Sequence, residues 1–275
     1  MMYLSSFRMS GHTVSGPCIY PYSVFRGRPA GVFVFEPVTV LYGNNGSGKS
    51  TILNIIADKL GIKGRERATP NTLGTVDYCA RFVSECSYGL ADDENGRGIR
   101  LIPTDSRYIK SEDILYEIKK IQQRQVLGDG MLYDQVKGGL GIEEAQEFLS
   151  SKLGRKQQEY AVFAQEKYSN GETALHFLDE YIRPDSLYLL DEPEVSLSPA
   201  NQVELAEKIN EMARLLGCQF IIATHSPFML GTLNAKIYNI DTADYRVSEW
   251  SELPNVRYFY EFFKKREAEF GNNCQ

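Results

Sequence analysis

The sequence predicts an α/β protein with a mostly parallel β-sheet covered by helices on both faces. Three observations predict it. A strand runs straight into a glycine loop and a helix over residues 38–60, and an apolar strand, a helix and a further strand follow one another over residues 187–223. The third is composition: 43% apolar and 24% charged residues are ordinary for a soluble globular domain. Strands that alternate with helices are joined by crossovers, which build parallel sheets buried on both faces.

The elements justify themselves in order. Gly31–Phe35 and Val38–Tyr42 are β-rich runs, and the second flows into Gly43-Asn44-Asn45-Gly46-Ser47-Gly48-Lys49-Ser50 and the apolar-periodic helix Thr51–Leu60. From Gly61 to Arg100 the Gly, Asp, Arg and scattered aromatic residues predict short strands and turns rather than a sustained helix. Ser111–Gln125 places Ile114, Leu115, Ile118 and Ile121 on one helical face behind a Ser111 N-cap. Further helices are expected from Ile142 toward Tyr168 and over Glu172–Ile182. Then come the strand Leu187–Leu190, the helix Ala200–Leu216, the strand Cys218–Ala223 and a terminal helix Tyr258–Phe270. With no internal repeat or low-complexity linker, the expectation is a single domain, 1–275.

Bulk properties narrow the function. A net charge of -6 argues against a surface built throughout to neutralise nucleic acid. Local basic clusters, Lys63, Arg65 and Arg67 or Lys264, Lys265 and Arg266, read first as solvated faces. The five cysteines are far apart and form no C-x-x-C pair, which suits reduced thiols in a cytosol. No stretch approaches the roughly 20 apolar residues of a membrane-spanning helix, and the N-terminus lacks the apolar core of a signal peptide. A cytoplasmic protein without a transmembrane segment is expected.

The loop Gly43–Ser50 fits G-x-x-x-x-G-K-[ST] in the setting that motif requires, after a strand and before a helix. Glycines let backbone N–H groups wrap a phosphate chain while the helix N-terminus supplies positive potential. Gly43, Asn44, Asn45, Gly46, Ser47, Gly48, Lys49, Ser50 and Thr51 thus form the candidate ATP-binding set. Lys49 is the charge on the β- and γ-phosphates and Ser50 a ligand of Mg²⁺. Asp191 and Glu192 leave the strand Leu187–Leu190 at its carboxyl end, where ligands sit in open α/β sheets. Asp191 is the candidate magnesium partner and Glu192 the candidate general base for water; the bland reading of the pair is a cap for the next helix. His225 follows the strand Cys218–Ala223 at the same edge, poised to sense the γ-phosphate.

Tyr168-Ser169-Asn170-Gly171-Glu172, ahead of Asp191 and Glu192 and at the start of a predicted helix, resembles the signature motif of the ABC ATPases. Ser169, Gly171 and Glu172 match the pattern, and the first and third positions depart from it. The resemblance extends over nearly the whole chain. Glu194-Val195-Ser196-Leu197-Ser198-Pro199 resembles the family's D-loop and Thr224-His225-Ser226 its switch-histidine loop. The closest likeness within the superfamily is to stand-alone bacterial ATPases of the AAA/SMC-like kind.

The resemblance implies an ABC-ATPase-type P-loop fold with an N-terminal antiparallel β part and a small helical lobe, about 106–170, inserted in the α/β core. It also implies that Ser169, Gly171 and Glu172 of one copy close over the ATP held by another, giving an ATP-dependent homodimer. Ser169 and Glu172 form a capping box as well, and the two roles are compatible. The chain between Ser50 and Ser169 is too short for a long coiled-coil arm. A Q-loop glutamine is missing from Leu101–Ser106, where Thr104 or Asp105 is the substitute. Tyr20, Tyr22 and Phe25 all remain open as adenine-stacking or core aromatics.

The leading function is an ATP-hydrolysing switch coupled to an unidentified protein partner, in DNA repair or defence. The alternatives are the ATP-binding subunit of an ABC membrane transporter and a nucleotide-gated module with little turnover.

Overall fold

The computed structural model describes residues 1–16, 18–66, 76–92, 96–113, 181–195 and 197–270, together with the backbone of 72 and 73. The chain falls into two compact units. One comprises Met1–Lys110, Arg183–Val195 and Gln202–Gln275; the other comprises Ser111–Ile182 and Ser196–Asn201 and lies almost wholly outside the described residues. Residues 111–113 are helical, at the expected start of Ser111–Gln125. Most of the expected lobe 106–170, with Ser169, Gly171 and Glu172, lies outside the described residues.

The strands in chain order are β1 (Leu4–Arg8), β2 (Val32–Val34), β3 (Val38–Tyr42), β4 (Thr72–Leu73), β5 (Val76–Asp77), β6 (Ser87–Leu90), β7 (Arg107–Lys110), β8 (Leu187–Asp191), β9 (Gln219–Thr224) and β10 (Lys236–Asn239). The helices are α1 (Lys49–Leu60), α2 (Tyr78–Glu85), α3 (Pro199–Leu215), α4 (Pro227–Thr232), α5 (Pro254–Lys264) and α6 (Glu267–Phe270). A five-stranded sheet has the order β10-β3-β9-β8-β7, and every pairing in it is parallel. A three-stranded antiparallel sheet, β2-β1-β6, carries the N-terminus. All residues of β3, β8 and β9 are buried, as expected of central strands covered on both faces.

Two buried polar side chains join the sheets. Gln219, fully buried, accepts from the Tyr3 and Leu4 amides and donates to Leu4 O. The Tyr238 hydroxyl donates to Val34 O and accepts from Val34 N. Each satisfies both an N–H and a C=O of the backbone at the N-terminal sheet.

The expectation of turns and short strands through residues 61–100 needs one correction, because α2 lies there. Its cap explains it: the Asp77 carboxylate accepts from the Cys79 and Ala80 amides, and Phe82 buries itself against Tyr22 and Phe25. The terminal helix is two helices, broken at Lys265 and Arg266, and α5 leaves Tyr258, Phe259, Tyr260, Phe262 and Phe263 exposed.

Candidate functional site

Parallel register brings the candidate residues to one edge. Tyr42 pairs with Thr224, Ala223 with Asp191, Asn239 with Tyr42 and Lys110 with Asp191. The segments leaving β3, β8, β9 and β10 therefore start side by side at the carboxyl ends of their strands. They carry Gly43, Glu192, His225 and Asp241.

The loop from Gly43 to Ser50 is shaped by backbone that glycine alone tolerates. Gly48 caps α1 with φ 102°, a conformation that strains any other residue. A Cβ on Gly43 would fall 2.6 Å from Ser47 Oγ and 2.8 Å from Ile240 Cγ1. Two groups grip the loop from outside. Arg28 donates to Ser47 O at 3.2 Å and Ile240 O at 3.0 Å, and the Asp241 carboxylate accepts from the Asn44 amide and side chain. Lys49 is 4% exposed, and its ammonium donates to Gly43 O at 2.8 Å and Asn44 O at 3.2 Å.

The same ammonium lies 3.5 Å from Glu192 Oε1, and that oxygen lies 3.4 Å from His225 Nδ1. Lys49, Glu192 and His225 therefore converge. Glu192 has φ 47°, and its amide donates to Ala223 O at 2.9 Å. The backbone is thus held in a left-handed turn that costs a non-glycine residue about 1 kcal/mol or more. Asp191 is buried beside them. Its Oδ2 accepts from the Tyr108 hydroxyl at 3.0 Å, whereas Oδ1 is buried without a hydrogen-bond partner. Burial pushes the Asp191 carboxyl above its ordinary pKa, although the nearby Ser50 hydroxyl and Tyr108 favour the charged form.

Other expectations fare differently. Tyr22 and Phe25 are core residues, packed on Phe82, while Tyr20 is half-buried with the Thr51 side chain beside its hydroxyl. Thr104 and Asp105 precede β7, at the sheet edge opposite Asp191, and Asp105 pairs with Lys63 at 3.7 Å. They stand at the opposite end of β7 from Lys110, the residue that pairs with Asp191. Four contributors to this edge were not singled out as such: Arg28, Tyr108, Glu194 and Asp241. Only Glu194 carried a signal, as the third acid in Asp191-Glu192-Pro193-Glu194.

The family described as "AAA domain, putative AbiEii toxin, Type IV TA system" matches residues 79–231, more than half of the chain. The chain belongs to that AAA-domain family. Comparison with curated proteins gives no match. Among solved structures, the AAA-domain chain is similar to the Smc head domain of Pyrococcus furiosus bound to the C-terminal domain of ScpA, at 15% identity over 97% of this chain and 100% of that one, TM-score 0.43. It is likewise similar to cbiO1 of Clostridium perfringens, part of the ABC transporter complex cbiONQ, at 15% identity over 98% of each chain, TM-score 0.42. A nucleotide-free ATP-binding cassette from an ABC transporter aligns at 16% identity over 94% of this chain and 99% of that one, TM-score 0.46. The parallel sheet flanked by helices, the glycine loop between β3 and α1 and the N-terminal antiparallel sheet give this AAA-domain protein a P-loop nucleotide-binding fold.

Proposed function

We propose that this chain binds ATP with Mg²⁺ at the β3, β8 and β9 edge, hydrolyses it, and uses the cycle to join and release two copies of itself. The observation that carries the reading is the convergence of Lys49, Glu192 and His225 through contacts of 3.5 and 3.4 Å. A cation, a carboxylate and an imidazole meeting beside a glycine loop form a constellation suited to phosphoryl transfer to water.

Each residue has a task. The loop amides and Lys49 take the phosphate charge. Glu192, 27% exposed and so reachable by water, orients and polarises the attacking molecule. His225 contacts the γ-phosphate from β9. Ser50 and Asp191 would hold Mg²⁺, and they fit it, because a buried carboxylate oxygen without a partner beside a hydroxyl suits a hard cation that keeps much of its water. When bound, the ion neutralises charge developing on the phosphate oxygens. Ser169, Gly171 and Glu172 from a second copy would complete the site over the triphosphate.

The coupling partner is a protein. The family description names a toxin of a type IV toxin–antitoxin system, which supports a defence role over service to a permease. Sedimentation of the Glu192→Gln variant tests the dimer. An ATP-dependent dimer is expected, absent without nucleotide and absent in Lys49→Ala. A Glu192→Gln protein that binds ATP yet sediments as a monomer at every concentration contradicts it.

A further inference from the structure

Glu194 is 6% exposed, and no task at the site has been given to it. It lies on a turn in which the Val195 amide donates to Glu192 O at 3.1 Å, so the two glutamates are fixed relative to each other. Its Oε1 accepts from the Thr224 hydroxyl and from the His225 amide at 3.3 Å. Thr224 is itself held, accepting from the Ser226 amide at 3.0 Å. The same Oε1 lies 4.0 Å from His225 Nδ1, which is completely buried although the His225 side chain as a whole is 42% exposed.

Nδ1 therefore faces two carboxylate oxygens, of Glu192 at 3.4 Å and of Glu194 at 4.0 Å. A ring-nitrogen lone pair at that point would be repelled by both, and an N–H attracted by both. The two acids differ in freedom. Glu192 is partly exposed and, as the base, must turn toward water; Glu194 is clamped by a hydroxyl and an amide.

We propose that Glu194 is a positioning residue for His225: it pins the β9 exit by its backbone, keeps a proton on Nδ1 and so reserves Nε2 for the ligand. With Nδ1 protonated, Nε2 of the cation donates an N–H to a γ-phosphate oxygen, whereas Nε2 of the neutral ring is a lone pair that such an oxygen repels and that only an O–H donor such as water satisfies. The kinetic part of the proposal rests on reading His225 as the phosphate sensor; the tautomer part does not.

The chain holds three histidines, so long-range proton–nitrogen correlation of histidine-labelled protein resolves them, with His225→Gln identifying the signal. At about pH 8.5, well above the ordinary histidine pKa, a proton on Nδ1 is expected in the wild type. Glu192→Ala should keep it, because Glu194 alone then holds it, and Glu192→Ala/Glu194→Leu should lose it. In steady-state hydrolysis Glu194→Leu should lower kcat on the order of tenfold with KM for ATP unchanged, and Glu194→Gln, whose carbonyl still accepts, should restore most of it. An Nε2–H ring in the wild type, or loss of the Nδ1 proton already in Glu192→Ala, overturns the proposal. A wild type without ATP hydrolysis would remove the functional reading and leave the tautomer result standing.

Discussion

Two regions of one unit bury carboxylates in opposite ways. Glu85, at the end of α2, has a side chain only 12% exposed and is met by Ser10 Oγ at 2.5 Å, the Tyr22 hydroxyl at 2.8 Å, Arg81 Nε at 3.0 Å and His12 Nδ1 at 3.2 Å. Burial alone would raise its pKa, but these donors outweigh burial and hold it below the ordinary glutamate value. Asp191 and Glu194, at the sheet edge, are as deeply buried, and each keeps one oxygen without a hydrogen-bond partner. There burial wins and both carboxyls are pushed up. A carboxylate that serves only the fold is satisfied by that fold, whereas Asp191 is left short of donors at the sheet edge and Glu194 is set against the His225 ring.

Substitutions can break that contrast, and the largest effect belongs to the edge. Asp191→Asn should lower ATP turnover on the order of 100-fold or more while raising the melting temperature at neutral pH. The sign follows from the raised pKa. The wild type is most stable with Asp191 protonated and loses stability as pH rises through the folded value, a loss that asparagine escapes. Thermal melts across pH, read beside hydrolysis rates, check both halves; a variant less stable than wild type at neutral pH would place Asp191 with Glu85.

Glu85→Gln should do the reverse. It is expected to cost about 1–3 kcal/mol at neutral pH and to leave ATP turnover as it was. A depressed pKa contributes stability above the unfolded value that is lost as pH falls through the folded one, so variant and wild type should converge in acid. Denaturant unfolding at several pH values measures the gap. The smallest change is Glu192→Gly. Glycine accepts φ 47° without strain, so a gain of about 1 kcal/mol, or roughly 2–4 °C in melting temperature, should accompany loss of turnover.

What was legible in the sequence divides along a similar line. The phosphate loop, β3, β8, β9, α1 and α3 were readable because their signals are local: an apolar run, a glycine pattern and a periodic helix. The placement of Lys49, Asp191, Glu192 and His225 at one edge followed from the ends of those same strands. The clamps on the edge were not readable, because Tyr108 reaches Asp191 across 83 positions and Asp241 reaches Asn44 across 197. No periodicity announces such pairs; sheet order creates them. The strands β1 and β10 were missed because Leu4-Ser5-Ser6-Phe7-Arg8 and Lys236-Ile237-Tyr238-Asn239 mix polar with apolar residues and lack the nearly unbroken apolar runs of β3 and β8. In α2 the Asp77 cap was hidden among turn-forming residues, although the helix itself buries Phe82.

The central claim is that the carboxyl edge of the parallel sheet is a working ATPase site with Glu192 as its base. Steady-state ATP hydrolysis by wild type and Glu192→Gln, with equilibrium ATP binding measured on the same preparations, tests it most directly. The expected result is a fall in kcat of roughly 100-fold to 10,000-fold with ATP affinity retained. Equal turnover in the two proteins, or no ATP binding by either, contradicts it.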